Sequence, residues 1–200
     1  MKTHKIAAVI LAAGTASRFR AAAGDDITTK LVAELNGKPL IRHVVEAVMQ
    51  SRAAPIIVVT GHAEINVRAA LKGLGLIYVR NEDYQSGIAS SVKCGIASVP
   101  DDCDGAFVLL GDMPKVSGAL LNELMQAFDE HSSARAVVPL HEGQRGNPAL
   151  ISRALFGDVK NLQGDIGAKA LLKAAGEGVL EVAITSDAVT FDVDTPDLLR

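Results

Sequence analysis

Tryptophan is absent, aromatic residues make up only 4% of the chain, and just two cysteines, Cys94 and Cys103, occur in 200 residues. With so few rings available, the core has to be built from aliphatic side chains, and a hydrophobic content of 48%, mostly Ala, Val, Ile and Leu, supplies them. Neither cysteine belongs to a Cys-x-x-Cys pair or lies near a histidine at metal-ligand spacing, which excludes a disulfide scaffold and a structural zinc site. That usage points to a reducing, cytoplasmic setting. No apolar run approaches the roughly eighteen residues that suggest a membrane span, so no membrane role is expected. A basic stripe is missing as well. The net charge is −3 with the basic residues thinly spread, which argues against a nucleic-acid binder. Internal repeats, low-complexity tracts and linkers are also lacking, so residues 1–200 read as a single domain, long enough to bury roughly 70% of its unfolded surface.

Two familiar nucleotide fingerprints are missing too. No G-x-G-x-x-G follows the first apolar run, and Gly37-Lys38 continues with Pro39, so there is no Walker-type Gly-Lys-Ser/Thr. What stands in their place is IAAVILAAGTASRFRAAAGDDITTK, from Ile6 to Lys30. A buried-looking strand there runs into Ala12-Ala13-Gly14 and then into a polar loop carrying Arg18 and Lys30. A strand that stops at a glycine-bearing loop with two cations suits an anion, because backbone N–H groups and fixed positive charge face the same point. Lys2 and Lys5 followed by Ile6–Ala13 imitate a secretory signal. The apolar run is at the short end for one, however, and cleavage at Ala12-Ala13-Gly14 would remove the first strand of a continuous pattern.

That pattern is an alternation. Short β-branched runs lie at about Lys5–Ala13, Pro55–Gly61, Leu76–Arg80, Gly105–Gly111, Arg135–Leu140 and Val179–Ile184, each bounded by turn residues. Helical spacing fills Pro39–Arg52, Ala63–Lys72, Ser86–Ser98, Gly118–His131 and Ile166–Ala175. The alternation predicts an α/β fold with a mostly parallel, doubly wound sheet covered by helices on both faces. Ligands of such sheets sit outside the carboxyl ends of the strands, and polar residues follow several of the runs: Gly14 to Lys30, Asn81 to Ser91, Asp112, and Asp192 with Asp194.

Each candidate has a plain alternative. Asp112, leaving the buried run GAFVLL, can hold Mg²⁺ and through it a triphosphate, or simply cap the turn before Pro114. Asp192 and Asp194 share one face of an extended chain and so can share one cation, or they can mark the start of a helix that Pro196 opens. Arg18 and Lys30 can neutralise phosphates, although a lone loop cation is usually just solvated. Ser86-Gly87-Ile88-Ala89-Ser90-Ser91 suits a nucleobase edge or ribose and equally suits N-capping. Gly143-Gln144-Arg145-Gly146-Asn147-Pro148 is a turn-rich loop able to reach an acceptor, and Gly164-Asp165-Ile166-Gly167 opens a further helix. The five histidines are scattered, and none pairs with Ser or Cys in a hydrolase arrangement.

Taken together, Leu11-Ala12-Ala13-Gly14-x-x-Ser17-Arg18-Phe19 with Lys30-Leu31, Asn36-Gly37-Lys38-Pro39-Leu40, Gly87-x-x-Ser90-Ser91-Val92 and Leu110-Gly111-Asp112-Met113-Pro114 form an ordered set. It continues through Arg145-Gly146-Asn147-Pro148-Ala149-Leu150, Gly164-Asp165-x-Gly167-Ala168-Lys169 and Asp192-Val193-Asp194-Thr195-Pro196. These blocks span practically the whole chain, and their order and spacing resemble the molybdenum-cofactor nucleotidylyltransferases of the MobA-like NTP transferase group. The resemblance implies a glycosyltransferase-A-type, Rossmann-like nucleotidylyltransferase fold. It also implies transfer of a nucleoside monophosphate from an NTP to a phosphate-bearing acceptor with release of pyrophosphate. On the cytidylyl branch the acceptor is the molybdopterin form of the molybdenum cofactor, and the partner that uses the product is a molybdenum hydroxylase.

The residues that carry over are Arg18, Lys30 and Asp112 as catalytic groups, with Leu11, Ala12, Ala13, Gly14, Asn81, Ser90 and Ser91 toward the nucleotide. Arg145 and Asn147 carry over toward the acceptor, and Asp112, Asp192 and Asp194 toward Mg²⁺. The guanylyl branch usually shows Gly-Gly where this chain has Ala12-Ala13, and the extra methyl groups favour CTP over GTP. Contacts of that kind discriminate by only about 1–3 kcal/mol. The chain departs from the pattern where Arg20 takes a glycine's place and Ala21–Thr29 lengthen the loop, so Lys30 has to reach the triphosphate across an insertion. Three alternatives accompany this reading: a relative acting on a sugar or polyol phosphate, a non-catalytic cofactor-delivery chaperone, and a Rossmann-type oxidoreductase, which the missing glycine fingerprint disfavours.

Overall fold

The computed structural model describes residues 3–16, 19, 28–165 and 167–199. Strand β1 (Ile6–Ala12) is buried along its whole length. Ile6, Ala8, Ile10 and Ala12 point into one aliphatic cluster, and Ala7, Val9 and Leu11 into another on the opposite face. A strand covered on both sides has no polar face to alternate with, which is why its sequence reads as an unbroken apolar run.

Among the described residues nine further strands follow. They are β2 (Glu34–Leu35), β3 (Lys38–Pro39), β4 (Ile56–Thr60), β5 (Ile77–Arg80), β6 (Gly105–Leu110), β7 (Ala136–His141), β8 (Gln144–Arg145), β9 (Ala149–Ser152) and β10 (Val179–Ala183). The main sheet runs β10-β7-β9-β6-β1-β4-β5, with β8 added to β7. The pairs β1/β4, β1/β6, β4/β5 and β7/β10 are parallel, and β9 lies antiparallel between β6 and β7. The mostly parallel sheet expected from the alternation is therefore present, with β9 as an addition. A four-residue strand, three of its residues apolar and the last a serine, directly behind a turn-rich loop carries too little periodicity to announce itself. The two-residue ladder of β2 and β3 closes over Asn36-Gly37, both at positive φ (53° and 73°), the conformation that favours Asn-Gly in tight hairpins.

Among the described residues five α-helices cover the sheet: α1 (Leu40–Met49), α2 (Glu64–Ala70), α3 (Ile88–Ala97), α4 (Gly118–Glu130) and α5 (Ala168–Ala175). In α1 the buried side chains Leu40, Ile41, Val44, Val45 and Val48 recur at three- and four-residue spacing and define one stripe. Helices α1, α2 and α4 pack on the Ile10 face, while α3 and α5 pack on the Val9 face. Winding on both faces follows from the right-handed crossovers that parallel strands require. The strand order reverses between β1 and β6, so the loops after these two strands diverge and leave a crevice at their carboxyl ends. No helix among the described residues is long and apolar enough to cross a membrane.

Candidate active site

A cavity of about 470 Å³ fills that crevice. Its walls come from the loop Ala13–Ala16, the turn Gly87-Ile88 with Ser91, and the segment Leu110–Asp112, with Lys30 and Asp165 at its polar edge. Each wall has a local cause. Ala13 is fixed because its carbonyl accepts from the His62 N–H at 3.1 Å and its methyl packs against Gly61, where an added Cβ would lie 2.9 Å away. Beyond it, an added Cβ on Gly14 would meet nothing within 4 Å, so no described neighbour demands glycine there. A side chain at that point would instead take up cavity space.

Helix α3 approaches through Gly87, which has φ +103°. A Cβ on this residue would sit 2.5 Å from the backbone C and O of Gly164 and 2.8 Å from Asp165 Oδ1. The loop before α5 thus lies flush on the start of α3, where the Ala89 N–H donates to Gly164 O at 3.0 Å. Asn81 braces the same turn, its Nδ2 donating to Ser90 Oγ at 2.8 Å and to Ser91 Oγ at 3.0 Å. Of these three, Ser91 lines the central cavity, whereas Asn81 and Ser90 face a separate groove with Arg80 and Lys93.

The charged edge is built by backbone contacts. Gly111 donates to Leu11 O at 3.1 Å, which carries the end of β6 against the end of β1 and leaves Asp112 at the crevice. The alternative in which Asp112 caps the turn before Pro114 and the helix from Ser117 does not describe it: among the described residues its Oδ1 has no hydrogen-bond partner and its Oδ2 faces Lys30, while Ser117 caps α4, its hydroxyl accepting from the Leu120 N–H at 3.2 Å. Asp112 O in turn accepts from the Val193 N–H at 3.1 Å, and the fully buried Val193 side chain packs with Phe19 and Leu40. With Val193 anchored, Asp192 and Asp194 flank it and meet Asp112, one oxygen from each of the three lying within 4.8 Å of the others. Pro196 also opens a turn of 3₁₀ helix, as the second reading of this segment expected, and that turn leaves the three carboxylates together.

Lys30 sits on a single 3₁₀ turn, Lys30–Val32. The turn is held by buried Leu31 and by Thr29, whose Oγ1 accepts from the Leu31 N–H at 3.4 Å. Its Nζ lies 2.6 Å from Asp112 Oδ2 and 3.1 Å from Asp194 Oδ1, so Lys30 stands among the carboxylates. Burial pulls its pKa down, but the charges and hydrogen bonds of Asp112 and Asp194 outweigh this and raise it, keeping the ammonium charged. Asp192 moves in the opposite sense for a carboxylate's charge: burial first, then the neighbouring Asp194 and Asp112, raise its pKa. Two carboxylates 4.8 Å apart repel by about 3 kcal/mol at an effective dielectric near 20. Among the described residues Asp112 Oδ1 is moreover buried without a hydrogen-bond partner. Crowded hard oxygen donors with one buried acceptor still open fit a divalent cation. Asp112, Asp192 and Asp194 are the residues that would hold it.

Arg18 falls outside the described residues. Ala12 turns into the core beside Ile10, because successive residues of a strand face opposite ways, so Leu11 and Ala13 form the wall and any narrowing of a base pocket rests on Ala13 alone. Arg145 and Asn147 line a second cavity of about 550 Å³ that shares Leu11, Ile88, Leu110 and Asp165 with the first. Asp192 reaches it from the carboxylate cluster. Asp165 and Lys169, which also line it, stood in the sequence in a helix-opening block of the family resemblance and had not been named as site residues.

Comparison with known proteins agrees with this geometry. The model of the MobA-like NTP transferase domain matches residues 8–179. The bifunctional protein GlmU of Desulfotalea psychrophila is 31% identical over 161 residues, covering 80% of this chain, and the chain spans only 45% of that relative's length. Among solved structures, Rv0371c of Mycobacterium tuberculosis H37Rv aligns with a TM-score of 0.82 and 26% identity over 98% of this chain and 96% of its own. A nucleotidyl transferase from Methanothermobacter thermautotrophicus aligns with a TM-score of 0.80 and 27% identity over 96% and 93%. The chain thus belongs to the MobA-like NTP transferase family.

Proposed function

We propose that this protein transfers CMP from CTP to the phosphate of the molybdopterin form of the molybdenum cofactor, releasing pyrophosphate. The observation that carries the reading is the meeting of Lys30 with Asp112, Asp192 and Asp194 at the rim shared by two abutting cavities. One cavity accepts the nucleotide beside the Ala13–Ala16 loop. The other accepts the phosphate-bearing partner beside Arg145 and Asn147. The methyl group of Ala13 at the first wall supports a pyrimidine over a purine.

In the proposed reaction the acceptor phosphate attacks the α-phosphorus in line and pyrophosphate leaves. Such transfer requires positioning and charge stabilisation more than covalent chemistry. Lys30 and Arg18 stabilise the charge that moves onto the leaving pyrophosphate, and N–H groups near Gly14 hold its oxygens. Asp112, Asp192 and Asp194 would hold Mg²⁺, which would supply neutralisation of the phosphates. Asn81, through Ser90 and Ser91, keeps α3 in place as the wall of the nucleotide cavity.

Pyrophosphate release measured with each of the four common NTPs, against molybdenum cofactor, sugar phosphates and polyol phosphates, tests the assignment. Release that requires CTP and molybdenum cofactor together is expected. Turnover with a sugar or polyol phosphate and none with the cofactor would move the chain to that branch of the fold. Nucleotide binding without release under every combination would make it a delivery protein.

A further inference from the structure

A lysine that serves only the phosphates would point into the nucleotide cavity. Lys30 lines that cavity, yet its Nζ is held by two carboxylates, Asp112 Oδ2 at 2.6 Å and Asp194 Oδ1 at 3.1 Å. Only 15% of its side chain is exposed, so these contacts are not a pose sampled on a solvated surface. Its backbone is fixed by the Thr29 cap and by buried Leu31, which leaves the flexible four-carbon stem as the part able to move.

We propose that Lys30 has a second role, as the built-in counter-ion that positions the carboxylates for a divalent cation and gives way to it. Asp112, Asp192 and Asp194 repel one another within 4.8 Å, and in this fold the Lys30 ammonium offsets that repulsion. It uses one oxygen of Asp112 and leaves Oδ1 as the open, buried acceptor. Asp194 is therefore the ligand for which ammonium and divalent cation compete. When the ammonium is released from Asp194, the same short stem limits it to the cavity that Gly14 also lines, where the proposed function needs it against the pyrophosphate. Cation binding and the delivery of Lys30 to phosphate become one exchange. The inference rests on the nucleotide reading for its second half, while the competition at Asp194 is independent of any nucleotide.

Mn²⁺ alone, titrated into the full chain and followed by the electron-spin signal of free manganese, tests it. Lys30→Met and Lys30→Gln are each expected to bind Mn²⁺ at least about tenfold more tightly than the unaltered chain, because the competitor is gone. Both should also melt at lower temperature in chelator and regain the loss when Mn²⁺ is added. Affinity that is unchanged or weaker in both variants overturns the proposal, as does absence of binding in all three proteins. The unaltered chain gives a reading that needs no variant to fold: the side-chain ¹⁵N resonance of Lys30 should shift as Mg²⁺ is added, and a resonance that stays fixed through Mg²⁺ saturation overturns the exchange. None of these measurements reads turnover. A chain that behaves as expected here but releases no pyrophosphate refutes the proposed function and leaves the counter-ion role standing.

Discussion

Replacing Gly87 by alanine tests the joint that holds the nucleotide wall in place. The residue has φ +103° and ψ 173°, a region that only glycine occupies comfortably, and forcing another residue there costs about 1–3 kcal/mol. Sterics add to this. The new Cβ would lie 2.5 Å from two backbone atoms of Gly164, which cannot rotate away as a flexible side chain could, so the loop carrying Asp165 has to retreat. Overpacking of that kind costs about 1–3 kcal/mol. Some relaxation is shared between the two terms, and we expect a total near 3 kcal/mol. In urea, with a slope of about 2–3 kcal/mol per molar for a chain of this size, the unfolding midpoint should fall by roughly 1 M. Circular dichroism is the suitable probe, because the chain has no tryptophan to follow by fluorescence. The start of α3 and Asp165 both line the nucleotide cavity, so the folded variant should also bind CTP more weakly while its melting cooperativity is retained. A variant within about 0.5 kcal/mol of the parent, the usual spread for inert surface changes, would show that α3 and the Gly164 loop are not rigidly joined, and the account of this wall would fail.

Asp112→Asn should lower turnover by about 10²–10³ with the fold intact, measured as pyrophosphate release across a magnesium titration; full activity would remove Asp112 from the metal set. Ala13→Gly should shift the CTP-to-GTP ratio of kcat/KM toward GTP by about tenfold, since discrimination by a methyl group in a pocket is of that order, and an unchanged ratio would detach base choice from this wall. Asp129→Asn probes stability away from the site. The carboxylate accepts from the His4 backbone N–H at 2.9 Å and from Arg52 Nη2 at 3.2 Å. Burial raises its pKa, but the His4 and Arg52 contacts outweigh burial and lower it. A lowered folded-state pKa stabilises the fold above the ordinary aspartate value near ~3.9, and the gain disappears as pH falls through the folded-state value. Thermal melts should therefore show the variant weaker by about 1–2 kcal/mol at pH 7, with the gap closing below about pH 4; a gap constant with pH would contradict the assignment.

How much of this was legible in the sequence depended on whether a residue acts through local pattern or through a distant contact. The β1 run, the α1 stripe and the i, i+2 placement of Asp192 and Asp194 are local, and each appeared where the residues had put it. Lys30 was identifiable as a cation near the loop, but its seat between Asp112 and Asp194 depends on contacts 82 and 164 residues away in sequence. Ala12 was legible as part of a motif, and only the strand's alternation into the Ile10 cluster shows that it serves packing. Asp165 could not be read as a cavity residue because what brings it there is the absence of a side chain on Gly87, a feature of a different loop. Strand β9 is silent for a similar reason: its partners β6 and β7 come from separate parts of the chain, and its four residues say little alone.

The reversed direction of β9 also affects how this fold can diversify. A parallel strand offers the ligand rim only the loop that follows it, but an antiparallel strand offers the loop that precedes it. The segment between β7 and β9 therefore begins and ends on the same rim, closed by the pairing of Leu140 with Arg145 and His141 with Gln144. It carries Arg145 and Asn147 into the second cavity, while Lys30 and Asp112 come from the segments after β1 and β6, and Asp192 and Asp194 from the segment after β10. Insertions or replacements in this hairpin can reshape the second cavity while the Lys30–Asp112 pairing and the central strands stay as they are. Grafting the corresponding hairpin from a relative should thus change which molecule is accepted without dismantling the cluster of Lys30, Asp112, Asp192 and Asp194.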